Sequence, residues 1–216
     1  MSKYHKINGV FKRYQKGDEI PEGKSKGDFI FNEWADESFY HLKDNVWVWK
    51  EKVDGMNCRI IIDPETNNIT LKGKSDNAQI PTLLQKWFDE WKDKNKDALL
   101  KNFPDGVIFY GEGVGPKIQK GKHGFTDYEI ILFDVLIDGM WLKHENVEKI
   151  ANDINLKVVS VIYERTLSEM IKNMTSMKSK SLFGDFQMEG FVGTPLGNFR
   201  DRRGNRIITK LKFVDF

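Results

Sequence analysis

The chain has 216 residues, a length that suits one large domain or two very small ones. Its 34 lysines and arginines face 32 aspartates and glutamates, so the net charge of +2 does not by itself indicate a nucleic-acid partner. The single cysteine, Cys58, excludes an intramolecular disulfide and a multi-cysteine metal site. No stretch approaches the roughly 20 apolar residues of a membrane span, and the first residues lack a signal-peptide core. We therefore expect a soluble cytoplasmic protein.

Apolar periodicity and turn residues predict a mixed arrangement of strands and helices. Strands without regular alternation with helices predict an α+β fold, with antiparallel sheets flanked by helices. In chain order we expect an antiparallel hairpin over 46–74, a helix over 83–100, a strand over 106–115 ending in a glycine-rich turn, a strand pair around an Asp-Gly turn over 129–142, a helix over 144–155, a strand over 158–164, a helix over 167–178, and strands over 188–195 and 206–214.

The predicted hairpin carries an unusual concentration of charge in the segment WKEKVDGMNCRI at 49–60. Lys52, followed by Asp54 and Gly55, is either a surface lysine before a turn or a nucleophile. A lysine amine attacks only when unprotonated, and its ordinary pKa is about 10.4. Burial or nearby cations must therefore lower that pKa in a nucleophilic lysine. A functional Lys52 predicts that other lysines or a metal converge on it.

Two lysines near the C-terminus could supply that positive charge. Lys210 and Lys212 stand two residues apart in a predicted strand, so their side chains point to the same face. Two ammonium groups on one face of an otherwise apolar strand suit a polyphosphate site, and a solvated strand face is the alternative.

Two carboxylates sit beside glycines in predicted strands. Glu112 lies between Gly111 and Gly113, and Glu189 precedes Gly190. Glycines allow a backbone and one acid to approach a ligand closely, although a plain glycine turn is an equal alternative. Carboxylates of this kind could hold one Mg²⁺ through its water shell.

The order of these motifs resembles that of the covalent nucleotidyltransferases, the superfamily of polynucleotide ligases and mRNA-capping enzymes. Within it the chain resembles the ATP-dependent RNA ligases of phages and bacteria, because Asn57 stands five residues after Lys52, where DNA ligases usually have arginine. The matching segments are Lys52-Val-Asp-Gly55, Gly111-Glu112-Gly113, Phe133-Asp134-Val135, Glu189-Gly190-Phe-Val192 and Lys210-Leu-Lys212.

The resemblance covers about residues 4–216 and implies one nucleotidyltransferase domain over residues 1–216. Only four residues follow Lys212, so we expect no C-terminal OB or helical domain. It also implies a three-step reaction, in which Lys52 takes AMP from ATP, AMP moves to a 5′-phosphate end, and a 3′-OH attacks that end.

The resemblance further implies residue roles. The backbone of Glu51 would meet the adenine edge, Phe133 and Val192 would cover its two faces, and Arg59 would contact the ribose or hold the site. A core phenylalanine is the alternative for Phe133. The implied catalytic residues are Lys52, Glu189, Lys210 and Lys212. Those implied to hold ATP are Glu51, Lys52, Asn57, Arg59, Glu112, Phe133, Val192, Lys210 and Lys212. Those implied to organise hydrated Mg²⁺ or Mn²⁺ are Asp54, Glu112 and Glu189.

Local basic patches are the expected contacts with RNA, since the total charge is nearly balanced. For each patch a solvated loop is the alternative. The candidate residues are Lys74, Lys117, Lys120, Arg200, Arg202, Arg203 and Arg206.

The leading hypothesis is an ATP-dependent RNA ligase that seals 3′-OH and 5′-phosphate ends, with RNA or an RNA-containing nicked duplex as its partner. A capping-type guanylyltransferase and a silent nucleic-acid-binding module are the alternatives. We expect a monomer that has no membrane contact and that relies on other enzymes for any end healing.

Overall fold

The computed structural model describes residues 3–121, 124–197 and 199–216, with only the backbone of Lys120 and Gly121. In chain order the elements are β1 (Asn8–Gly9), β2 (Phe11–Arg13), β3 (Phe29–Trp34), α1 (Glu37–Leu42), β4 (Val46–Glu51), β5 (Met56–Ile62), β6 (Ile69–Gly73), α2 (Thr82–Asn102), β7 (Val107–Val114), β8 (Glu129–Ile137), β9 (Met140–Trp141), α3 (His144–Asp153), β10 (Lys157–Val158), β11 (Val161–Thr166), α4 (Leu167–Met174), β12 (Gly190–Pro195) and β13 (Thr209–Lys212).

The chain divides into two compact units. The first contains the described residues of Met1–His5, Val53–Ser160 and Lys180–Gln187. The second contains Lys6–Lys52, Val161–Ser179 and the described residues of Met188–Phe216. The α+β class with mainly antiparallel sheets and flanking helices is confirmed. None of the helices in the described residues is long and apolar enough to span a membrane.

The first unit is built on a six-stranded sheet with the order β10-β8-β7-β5-β6, in which β9 also pairs with β8. Along β5 the side chains alternate between two faces, as strand geometry requires. Cys58, Ile60 and Ile62 belong to the core that includes residues of α2 and α3. Asn57 and Arg59 lie on the opposite face of the same strand. This unit therefore has one apolar face and one face with polar side chains.

The second unit contains a five-stranded sheet with the order β1-β13-β12-β4-β11 and the two-stranded pair β2-β3. Trp47 and Trp49 of β4 are fully buried and share a core with Phe191 and Leu211. Leu167 and the other buried residues of α4 contribute to the same core. Lysines alternate with these core residues along β4 and β13 and therefore lie on the other face of the sheet.

Several predicted elements are confirmed. Helix α2 follows Pro81, and α3 and α4 occupy the predicted segments. Asp138 and Gly139 join β8 to β9 with φ values of 48° and 72°, the positive values that a tight hairpin turn requires.

The predicted hairpin over 46–74 is wrong. Only β5 and β6 form a hairpin, whereas β4 pairs with β11 and β12 in the sheet of the second unit. Residues 52–54 lie between strands rather than within one. The strand predicted over 158–164 is likewise divided between β10 and β11, which belong to different sheets. Alternation indicates that a segment is extended, but the pairing partner depends on contacts distant in sequence.

The glycine-rich turn predicted at the end of 106–115 is also wrong, because β7 continues as a strand through Gly111 and Gly113. A Cβ atom at Gly113 would lie 2.7 Å from the side chain of Leu84 and 2.8 Å from the sulfur of Cys58. These glycines therefore allow close packing against the sheet rather than a change of direction.

Candidate active site

Lysines converge on one face of the five-stranded sheet of the second unit. Val192 of β12 lies between Lys50 of β4 and Lys210 of β13. Two residues further along the same face, Gly190 of β12 pairs with Lys212 of β13. Lys52 follows β4, and its backbone N–H donates to the carbonyl oxygen of Gly190 at 2.8 Å. Sheet pairing therefore gathers residues up to 162 positions apart in the sequence, from Lys50 to Lys212.

The Glu189 carboxylate binds two of these lysines at once. One oxygen accepts a hydrogen bond from Nζ of Lys52 and the other accepts one from Nζ of Lys212. The Glu189 side chain is 13% exposed. Burial by itself would raise the pKa of Glu189, but the charges of Lys52 and Lys212 outweigh it and hold the pKa below its ordinary value. The carboxylate is therefore ionised at neutral pH and fixes both amines around one point.

Lys210 belongs to the same group of lysines and is half-buried on β13. Burial lowers the pKa of Lys210, and the positive charges of Lys212 and Lys52 lower it further, against the opposing effect of Glu189. The surroundings of Lys210 in the folded protein thus disfavour its charged form. Such an arrangement is typical of a site that binds an anion.

Replacing Lys210 with methionine is expected to raise the melting temperature of the ligand-free protein at pH 7 by roughly 2 °C. The folded state binds the Lys210 proton more weakly than the unfolded chain, so its charge costs stability at neutral pH. That cost disappears as the pH rises through the lowered folded-state pKa toward 10.5. Thermal denaturation at pH 7 and above pH 11 should show the gain at pH 7 and little or none at the higher pH. Lys12→Met, at a side chain 60% exposed, is the control. A Lys210→Met variant less stable than wild type would contradict this.

Only glycine fits at position 190, next to Glu189, where β12 and β13 approach closely. Its φ of 153° lies outside the range that side-chain-bearing residues favour, and a Cβ atom there would overlap the carbonyl oxygen of Leu211. Any other residue would push β12 away from β13, and with it Glu189 away from Lys212. The Glu-Gly pair therefore reflects close strand packing in this unit.

The polar face of the first unit carries two buried atoms without a partner among the described residues. Oδ1 of Asn57 accepts no hydrogen bond there, and Nη1 of Arg59 donates none. Asn57 is paired with Glu112 across β5 and β7. Unsatisfied buried polar atoms are costly, so their presence on one strand face favours a ligand that supplies both a donor and an acceptor.

Arg59 is held rigidly although it is fully buried. Its Nε donates to the carbonyl oxygen of Gly73 at 2.9 Å, and its Nη2 donates to Asp76 at 2.8 Å. The Arg59 side chain lowers the pKa of Asp76, chiefly through this hydrogen bond. Nothing in the local sequence pattern identified Asp76 as its partner, because they meet only through the pairing of β5 with β6.

Phe133 lies in a cluster that the first residues of the chain help to form. It packs beside the buried side chains of Val53 and Ile131, and the ring of Tyr4 meets its ring edge-on at a centroid distance of 5.1 Å. The hydroxyl of Tyr4 donates to Asp134 at 2.5 Å. Sequence reasoning missed Tyr4, because it lies 130 residues away from Asp134 and no motif marks it.

The remaining predicted residues have varied surroundings. Glu51 is buried, and Val192 pairs with Lys210 across β12 and β13. Asp54 belongs to the short segment of chain that follows β4 and precedes β5. Lys74 and Lys117 are exposed. The side chain of Lys120 lies outside the described residues. The arginines at 200, 202, 203 and 206 form a turn described below.

The donor set suits a hydrated cation rather than a direct protein cage. In the described part of the chain, no group of three or more His, Cys, Asp or Glu side chains could hold a metal ion. Mg²⁺ commonly binds proteins through one or two carboxylates, keeps several waters and uses substrate phosphates as ligands. Glu189, ionised and partly exposed, fits that pattern.

The sequence profile described as RNA ligase matches residues 45–212, more than half of the chain and the whole span from β4 to β13. The chain belongs to the RNA ligase family. Among curated proteins, no significant match was found.

Solved structures of a Naegleria gruberi RNA ligase share the fold of this RNA ligase family member. A mutant with ATP and Mn is 15% identical, with a TM-score of 0.63, over 97% of this chain and 61% of that one. A mutant with AMP and Mn is 17% identical, with a TM-score of 0.63, over 96% and 61%. An apo mutant is 16% identical, with a TM-score of 0.61, over 81% and 51%. The matches thus span 51–61% of the Naegleria chains.

Proposed function

We propose that this chain is an ATP-dependent RNA ligase that joins 3′-OH and 5′-phosphate ends through a lysyl-AMP intermediate, at nicks in a duplex. The observation that supports this most is the arrangement of Lys52 and Lys212 on the two oxygens of Glu189, with Lys210 nearby. Membership of the RNA ligase family supports the RNA substrate.

The first step would transfer AMP to Lys52. Nζ of Lys52 attacks the α-phosphorus of ATP, the N–P bond forms, and the bond from that phosphorus to the bridging oxygen breaks, so pyrophosphate leaves. Nζ must also lose a proton. The Glu189 carboxylate that Lys52 contacts, or solvent, would accept that proton and leave Nζ with the lone pair that forms the N–P bond. In-line displacement at phosphorus depends on positioning and charge neutralisation.

The other lysines would neutralise the phosphates. Lys210 and Lys212 lie on the same strand face and would bind the α-phosphate, stabilising negative charge that develops during the transfer. Lys212 is already held by Glu189, and Lys210 is a disfavoured cation that a phosphate would stabilise.

A divalent cation would bind at Glu189 through water and through the ATP phosphates, where it would supply further charge neutralisation. The Naegleria ligase structures contain Mn with AMP or ATP, and we extend both to this chain as cofactors, with Mg²⁺ or Mn²⁺ as the metal. The contributions of Asp54 and Glu112 to a metal site stay predictions.

The nucleotide contacts also stay predictions from the resemblance. These are the adenine contacts of Glu51, Phe133 and Val192 and the roles of Asn57, Arg59 and Glu112. The unpartnered atoms of Asn57 and Arg59 support a ligand at that strand face, since a ribose hydroxyl both donates and accepts.

Labelled ATP distinguishes the proposed function from its alternatives. With Mg²⁺, the wild-type protein is expected to acquire an acid-labile covalent AMP from ATP in preference to GTP. Preference for GTP would favour a capping-type guanylyltransferase. RNA binding without any covalent label would favour a silent binding module.

The sugar next to each reacting end is expected to affect sealing unequally. With purified protein and a panel of nicked duplexes, RNA on the 3′-OH side should matter more than RNA on the 5′-phosphate side. The rate of sealing each nick is the measurement. Equal sealing of all-DNA nicks would contradict this prediction.

We further propose that residues 1–216 act as one nucleotidyltransferase domain in the cytoplasm. A monomeric state and cooperation with end-healing enzymes stay predictions.

A further inference from the structure

An arginine-rich turn joins the two strands that carry Glu189 and the phosphate-handling lysines. We define the arginine turn as residues 199–206, the part of the β12–β13 connection that leads into β13. It holds Arg200, Arg202, Arg203 and Arg206 against one acid, Asp201. With Lys210 and Lys212, this gives six cations in 14 residues, although the whole chain is nearly neutral.

Asp201 makes this turn rigid and uses its own charge inside it. Its carboxylate accepts hydrogen bonds from the backbone N–H groups of Arg203 at 2.8 Å and Asn205 at 2.7 Å, and from the Asn205 amide at 2.9 Å. These contacts, chiefly those from Asn205, lower the pKa of Asp201. Arg200 donates across the turn to the carbonyl oxygen of Gly204 at 3.0 Å. The turn therefore has a defined shape before any partner binds.

The arginines at the tip of the turn point to solvent. Arg202 and Arg203 are exposed, and within the described part of the chain neither forms an ion pair within 4.0 Å. A guanidinium group is permanently charged, and its planar fork matches phosphate oxygens. Two such groups on a rigid turn can each contact a phosphate with little loss of conformational entropy.

Exposed apolar side chains occur at the start of the arginine turn and at the end of β12 that leads to it. Phe199 is 45% exposed and begins the turn, and its carbonyl oxygen accepts from the N–H of Ile207 at 3.1 Å. Leu196 and Val46 are 54% and 42% exposed, and the N–H of Leu196 donates to the carbonyl oxygen of Val46 at 2.9 Å. Arginine combined with an exposed aromatic ring is the composition used to contact phosphates and bases of RNA.

The turn and the lysines are separated by a distance that one polynucleotide can span. Arg206 precedes Lys210 by four residues, which corresponds to about 13 Å at 3.3 Å per extended residue. Phosphates along one strand of a DNA duplex recur at intervals of about 3.4 Å of helix axis, and the spacing in RNA is of the same order. An RNA whose end reaches Lys210 would therefore pass the arginine turn within a few nucleotides.

We propose that the arginine turn is a docking surface for the RNA backbone, with Arg202 and Arg203 binding phosphates a few nucleotides from the reacting end. This inference rests on the proposed ligase function for its substrate, and it explains how one unit of the chain can both carry the reacting lysine and hold the polynucleotide. An acidic protein surface fits less well, because it offers no bases on which the exposed Phe199 ring could stack.

The test compares two double variants with the same change in charge. Arg202→Glu combined with Arg203→Glu alters the turn, and Lys94→Glu combined with Lys96→Glu alters exposed positions of helix α2 in the other unit. Binding to a nicked RNA duplex with a 5′-phosphate is measured without ATP over a series of salt concentrations. The turn variant is expected to weaken binding at least about 10-fold per arginine near 0.1 M salt and to reduce the salt slope by about 2.

Three results would overturn the proposal. They are unchanged affinity and slope in the turn variant, an equal loss in the helix variant, and competition by polyglutamate as effective as competition by RNA. Circular dichroism and thermal melting of the same samples show whether each variant is folded, and lysine adenylation, which needs no RNA, tests the proposed function separately. If the wild type fails to adenylate, the proposed function fails, whereas the binding comparison still decides the role of the turn.

Discussion

Lys52→Arg is expected to abolish the covalent AMP adduct, to less than about one thousandth of the wild-type level. Arginine keeps a positive charge that can still pair with Glu189, so the surrounding ion pairs are retained. A guanidinium group stays protonated, however, and cannot attack phosphorus. The measurement is transfer of label from ATP to the protein with Mg²⁺, followed on a denaturing gel.

Two further samples make this result specific. Lys12→Arg, at an exposed position of the same unit, should adenylate normally. An RNA that already carries a 5′–5′ adenylate bypasses the first step, so Lys52→Arg should still seal it at a measurable rate. Persistent labelling of Lys52→Arg would show that another residue is the nucleophile, and the proposed chemistry would have to be abandoned.

Glu189→Gln is expected to slow adenylation by about 10²-fold or more. Glutamine has nearly the same shape but no charge, so Lys52 and Lys212 would lose the carboxylate that holds them together. The hydrated cation that we propose at this site would also lose a carboxylate ligand. The measurement is the single-turnover rate of label transfer at saturating ATP. Glu164→Gln, an exposed position on β11 of the same sheet, is the matched control and should leave the rate unchanged.

Acid denaturation separates the electrostatic role of Glu189 from a catalytic one. Because the folded-state pKa of Glu189 is lower than the ordinary 4.5, its ion pairs stabilise the protein fully above that pH. The stabilisation is lost as the pH falls below 4.5 through the lowered pKa. The difference in stability between wild type and Glu189→Gln should therefore shrink between pH 5 and pH 2. A constant difference across that range would show that the carboxylate is not held by its lysines.

The composition of the candidate site could be predicted from the sequence because it depends on residue types and their order. Lys52 alone left a surface lysine and a nucleophile equally open. The requirement for nearby positive charge pointed to Lys210 and Lys212, and the structure places Lys212 and Lys52 on one carboxylate. Helices α2 to α4 and most strands from β4 onward were also predictable, since apolar periodicity reflects local geometry, whereas α1 and β1 to β3 were not predicted.

Strand pairing could not be predicted in the same way. Residues 46–62 are extended and rich in apolar side chains, which made one hairpin arm a reasonable prediction. The structure places β4 with β11 and β12, and β5 with β6 and β7. The reason is that pairing is determined by contacts such as that of the Trp49 ring with the distant residue Gly193, which no local pattern encodes.

The sequence by itself determined which groups could react, namely an amine at 52, cations at 210 and 212, and a carboxylate at 189. Only the tertiary structure decided which of them meet. It joined Glu189 to both Lys52 and Lys212, Tyr4 to Asp134, and Arg59 to Asp76. These contacts follow from sheet register and long-range packing, whose energies depend on residues far apart in the chain, whereas the reactivity of a side chain is a property of its own functional group.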